Sequence, residues 1–93
     1  MLKKFEYKVP GGKLLRAKLE TTEGRISFIQ FTGDFFMDPE TDLEELEARL
    51  RETPAEPDSM GSVVMGFFSE KRTVIAGACA TDFVYVINQA LKA

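Results

Sequence analysis

The 93-residue sequence predicts an α+β domain in two layers: a three-stranded antiparallel sheet followed by three helices, all on one face of the sheet. Three observations carry this. Between Phe5 and Phe31 apolar residues recur mostly at every second position, the period of a strand with one face buried. After Thr41 they recur at i, i+3, i+4 and i+7, the stripe of an amphipathic helix. Strands and helices are segregated along the chain, which argues against an alternating parallel sheet.

In the first strand, FEYKV, residues Phe5, Tyr7 and Val9 share one face and Glu6 and Lys8 the other. VPGG (9–12) fits a type II turn, with Pro10 presetting φ and Gly11 taking the positive φ of the next position. The second strand, LLRAKLETT, alternates Leu15, Ala17 and Leu19 with Arg16, Lys18 and Glu20. TEGR (22–25), with Gly24 suited to positive φ, joins it in a hairpin to the third strand, RISFIQF. Strict alternation there points Ile26 and Phe28 one way and Ile29 and Phe31 the other. Such a strand is either covered on both faces or keeps one apolar face for a partner.

GDFF (33–36) lies outside any periodic pattern. Its phenylalanines either plug the end of the core or, beside Asp34, form a docking surface. The first helix begins near Thr41, with Thr41 or Asp42 as its cap and Asp42, Glu44 and Glu45 at the positive end of its dipole. Leu43, Leu46 and Leu50 form its buried stripe, and Pro54 and Pro57 break the chain after it. Met60, Val63, Val64, Phe67 and Phe68 have helical spacing, which places a second helix over about 58–69. Gly61 and Gly66 weaken that helix, and a strand across VVMGFF competes with it. TVIAGACA reads as a short connector around Gly77. Thr81 then caps a third helix with Phe83, Val84, Ile87 and Leu91 facing inward.

The length allows one domain, residues 1–93, with one thin core. No run approaches 18 uninterrupted apolar residues, no apolar segment follows the N-terminal lysines, and a single cysteine suits a reducing compartment. A cytoplasmic protein without membrane contact is expected. The net charge of −3 covers an asymmetry: residues 1–18 carry six Lys/Arg against one Glu, and residues 38–58 carry nine Asp/Glu against two Arg. That separation either steers a charged partner or merely solubilises sheet and helix. The negative total argues against a nucleic-acid role. Histidine is absent, which removes the usual general base and the commonest zinc ligand, so no catalytic residue and no metal site are expected.

The segment KVPGGKLLR is not a P-loop, which needs GxxxxGK[ST] leading into a helix; here the glycines lead into a strand. It reads as a plain turn, or as one whose backbone N–H groups and Lys13 approach an anion. Cys79 reads as an inert core residue among small apolar neighbours, with an activated thiol at a helix start as the alternative.

Taken together, the K-x-P-G-G-K turn, the strand pair closed by EGRI, and GDFF with DPE before an acidic leucine-rich helix resemble the C-terminal accessory domain of lipoate–protein ligases. The likeness is specific over Lys8–Leu50 and looser through VIAGACATDFVYVI. It implies a fold of the SufE/NifU type and a non-catalytic accessory subunit, here expected as a complete separate chain. Its heterodimer partner would be the catalytic chain of the ligase, which binds lipoate and ATP-Mg, forms lipoyl-AMP and passes the lipoyl group to a lipoyl domain. On this resemblance Gly11, Gly12 and Lys13 are expected near the nucleotide, and Ile26, Phe28, Asp34, Phe35 and Phe36 at the partner interface. The implied fold also admits a sulfur-transfer role for Cys79. A general protein-interaction module is the plainer alternative.

Overall fold

Alternation builds the centre of the sheet as expected. In a computed structural model, which describes residues 2–93, Leu15, Ala17 and Leu19 of β2 (Leu14–Thr22) are fully buried while Arg16, Lys18 and Glu20 occupy the opposite face. β2 lies between β1 (Lys3–Lys8) and β3 (Arg25–Gly33), antiparallel to both. The Glu23–Gly24 turn that closes the β2–β3 hairpin has φ of 53° and 78°, the two positive values of a type I′ turn, whose twist matches that of paired strands.

β3 departs from strict alternation. Its register slips between Glu20 and Thr21: Glu20 pairs with Phe28 but Thr21 with Ile26, leaving Ser27 as the extra residue of a β-bulge. The bulge inverts the parity of the strand. Ile26, Ile29 and Phe31 therefore all turn into the core, at 0%, 1% and 2% exposure, and only Phe28 turns outward, at 39%. The expected second apolar face of β3 does not form. Ile26, expected at a partner interface, is a core residue.

The helices cover one face. α1 (Thr41–Leu50) packs on β3, α3 (Ala80–Lys92) packs on β1 and β2, and α2 (Pro57–Lys71) packs against α1 and α3. α2 resolves its competition with a strand: Pro57 sits in the first turn, where its missing N–H costs nothing, and Met60, Val64 and Phe67 form a buried stripe. In α3 the buried positions are Phe83, Val86, Ile87 and Ala90, with Val84 and Leu91 half-buried at the flanks. Phe83 is the centre of an aromatic cluster, its ring 5.0 Å from Phe31, 5.4 Å from Phe35 and 5.6 Å from Phe68. Both expected caps shift by one or two residues. Glu40 precedes α1, because the carboxylate of Asp42 is buried and accepts a hydrogen bond from Thr73 Oγ1 instead of capping. Cys79, not Thr81, caps α3.

Two short strands, β4 (Phe36–Asp38) and β5 (Val74–Ala76), pair antiparallel in a second sheet, with Phe36 opposite Ala76 and Asp38 opposite Val74. Both read as irregular in the sequence, since three residues are too few to display a period.

The outer edge of β3 is closed by α1 and the loop after it. Ile26 exchanges backbone hydrogen bonds with Thr53 and Glu52, and a carboxylate oxygen of Glu47 accepts the Phe31 N–H at 2.8 Å. Burial raises the Glu47 carboxyl above its usual 4.5, a rise partly offset by that hydrogen bond and by the nearby Arg51 charge. A carboxyl raised in the folded state adds stability below its unfolded value, and loses it as pH climbs through its folded value. Glu47→Gln keeps an oxygen acceptor for Phe31 without the charge. Thermal denaturation should therefore find its Tm relative to the parent rising between pH 4 and pH 7, and a constant or falling difference would refute this account.

Candidate functional site

Three segments meet at one end of the sheet. The first is the turn after β1. The Gly12 N–H donates to the Val9 carbonyl at 2.8 Å and Gly11 has φ of 72°, so the expected type II turn forms. The second is the connector between β5 and α3, onto which the turn is seated by a hydrogen bond from Lys13 N–H to the Gly77 carbonyl, 2.9 Å. The approach is too close for side chains. A Cβ on Gly12 would stand 2.4 Å from the Gly77 carbonyl oxygen, and one on Gly77 would stand 2.6 Å from Lys13 Cγ. The third segment is Gly33–Phe35, where the Asp34 N–H donates to the Leu14 carbonyl at 2.9 Å.

The turn is not an anion cradle built of N–H groups. The N–H groups of Gly12 and Lys13 are both spent inside the protein, and the Lys8 ammonium donates to the Gly12 carbonyl. What the arrangement presents is the Lys13 side chain. Its stem crosses Gly77, its residue is exposed, and among the described residues it enters no ion pair. Gly12 allows the turn to rest on Gly77, and Gly11 supplies its positive φ.

Beside the turn lies a shallow cleft of about 520 Å³ lined by Pro10, Gly11, Gly12, Cys79 and Asp82, among others. Cys79 is exposed here, contrary to its expected place in the core, because it is the residue at which the chain enters α3. Its N–H donates to the Asp82 carboxylate at 2.8 Å, its sulfur accepts from the Asp82 N–H, and Sγ also lies 3.2 Å from Asp82 Oδ2 and 3.1 Å from Thr81 Oγ1. The thiol is thus exposed at the start of α3, with Thr81 and Asp82 as its polar neighbours. Among the described residues there is no group of three or more His, Cys, Asp or Glu that can hold a metal.

The expected interface residues separate. Phe35 packs edge-on against Phe83 and belongs to the core rim, while Asp34 is exposed and Phe36 stands out at 56% exposure. On the outer face of the β4–β5 pair Phe36 lies opposite Ala76 and next to Val74, which is 61% exposed. A groove of about 380 Å³ lined by Phe31, Phe35, Phe36, Met37 and Leu43 adjoins it. Phe28 lies apart, roughly 16 Å along β3 from Gly33 at the strand rise. Sequence reasoning missed Val74, Ala76 and Asp82. The run of β-branched residues in TVIA before Gly77 was the one local sign of β5.

Residues 3–86 match the family model described as "Bacterial lipoate protein ligase C-terminus". Among solved structures, a similar chain comes from a study of an archaeal lipoylation system in Thermoplasma acidophilum, a bi-partite lipoate protein ligase and its E2 lipoyl domain. The two chains are 26% identical, superpose with a TM-score of 0.76, and align over 94% of this chain and 92% of that one. No curated protein sequence matches.

Proposed function

The chain belongs to the family of lipoate protein ligase C-terminal domains, and from that premise we propose that it is a non-catalytic accessory subunit, required with a catalytic chain for ATP-dependent activation of lipoate to lipoyl-AMP. The two chains form a heterodimer in the cytoplasm. The catalytic chain binds lipoate and ATP-Mg, and this chain contributes no cofactor of its own. The observation that carries the reading is the seated turn: glycines at 12 and 77 let two backbones touch, Gly11 supplies the positive φ, and Lys13, which enters no ion pair among the described residues, is presented at the end of the domain. A cation presented to the partner's nucleotide stabilises the charge that develops on the phosphates during adenylation. Docking falls to the apolar patch of Phe36, Val74 and Ala76, with Asp34 at its margin.

Lipoate-dependent ATP–pyrophosphate exchange by the catalytic chain, with and without this protein, tests the reading. Exchange should appear only with both chains present. Lys13→Ala should lower its plateau by about tenfold or more, the scale of losing one charge-stabilising donor. Phe36→Ser should instead raise the concentration of this chain needed for half-maximal exchange. Equal exchange with and without the chain would leave a general interaction module as the better description.

A further inference from the structure

The helices cover one face of the three-stranded sheet, and the other face is open. It carries Lys4 and Lys18 directly opposite each other across β1 and β2, with Glu6 opposite Arg16 one pair along. Like charges directly opposite on a sheet are destabilising, so this arrangement lowers the stability of the isolated chain. Arg16 is neutralised by Glu6, its Nε 2.7 Å from the carboxylate, whereas neither Lys4 nor Lys18 has an ion-pair partner among the described residues. Around these side chains the sheet forms a concavity of about 640 Å³, lined by Lys4, Glu6, Arg16, Lys18 and Thr32 as well as by edges of Phe5 and Ala17. The parity flip at Ser27 sends Ile26, Ile29 and Phe31 inward and leaves Phe28, opposite Glu20, as the large apolar side chain that β3 contributes to this face.

We infer that the open sheet face is a docking surface for an acidic protein, whose carboxylates pair with Lys4 and Lys18. The face is basic on a chain whose net charge is −3, so the attraction is local. A few carboxylates on a protein surface suit a local patch, while the dense, extended charge of a nucleic acid would also meet the acidic remainder of the chain. The free cations are lysines, compact point charges on flexible stems, and the charge of the one guanidinium, Arg16, is offset by Glu6, bonded through Nε. The surface meets the groove beside Phe36 at Thr32 but is built from other charged side chains, and it does not depend on the adenylation reading.

The test uses the whole chain with a polyglutamate peptide, followed by amide NMR at low salt, with inorganic tripolyphosphate and duplex DNA as competing probes. Polyglutamate should shift the amides of Lys4, Lys18 and their cross-strand neighbours. The double variant Lys4→Glu/Lys18→Glu should weaken binding by about tenfold or more. Lys4→Glu alone should raise the Tm, since it replaces a repulsive pair by an attractive one, while still weakening binding; a purely structural role would not separate the two readouts. The charge-matched variant Arg72→Glu/Lys92→Glu, at exposed positions elsewhere, should change binding by less than about twofold. Equal losses in the two double variants would overturn the proposal. So would tighter, equally localised binding of tripolyphosphate or DNA, or a salt-dependent dimer in sedimentation that takes a second copy's acidic α1 as the occupant.

Discussion

Phe83→Ala should lower the unfolding free energy by about 3–5 kcal/mol, the usual cost of deleting a fully buried phenylalanine. A domain of this size holds about 5–15 kcal/mol in all, so the variant sits near the limit of folding. The cost falls at the high end because the ring contacts Phe31, Phe35 and Phe68, tying the sheet, the GDFF segment and α2 to one helix. Aromatic pairs of this kind contribute about 0.5–1.5 kcal/mol each beyond area burial. Phe83→Leu keeps most of the apolar volume but loses the edge-to-face contacts, and should cost about 1–2 kcal/mol. Urea denaturation of the three proteins measures the series. A loss below about 1 kcal/mol for the alanine variant would show that the cluster is not packed as described.

At Gly12 the expected loss is of activity as well as stability. An alanine there drives its methyl group to within 2.4 Å of the Gly77 carbonyl oxygen and 2.9 Å of Val9 Cγ1, and backbone cannot swing aside as a flexible side chain can. The turn must lift from the connector, at a cost of about 1–3 kcal/mol for overpacking. Lys13 then leaves its seat, and exchange activity should fall at least as far as in Lys13→Ala. Gly11→Ala is the companion variant. Its φ of 72° strains an alanine by about 1–2 kcal/mol, but a methyl group there meets open space. Its stability should drop while exchange in the reconstituted pair is retained. Equal activity in the two variants would mean that the seating of the turn is irrelevant to function.

The strands with four or more alternating residues were legible in the sequence, as were the helices, whose stripes are longer than any competing period. So was the type II turn, because Pro10 and Gly11 each admit few conformations. The candidate site was legible in its parts and not in its assembly. Gly12 and Gly77 are both small residues in loops, and nothing local announces that they touch. Cys79 reads as apolar by its neighbours, yet the capping box with Asp82 brings it to the surface. Phe35 and Phe36 are adjacent and identical, but one packs on Phe83 and the other faces out, since successive side chains of an extended segment alternate.

By itself, then, the sequence determined the α+β class, the order of the main elements, the turn that carries Lys13 and the family, all of which follow from local periodicity, backbone preference and motif. Tertiary structure alone decided that Ile26 is core and Phe28 surface, that β4 and β5 pair, and that the glycine turn rests on the connector before α3. Each of these depends on a contact between distant segments: the register of β3 against β2, the pairing of two three-residue strands, and two backbones close enough to exclude a methyl group. Local preference at these points is weak, and the free energy that selects the outcome comes from burying surface contributed by another part of the chain.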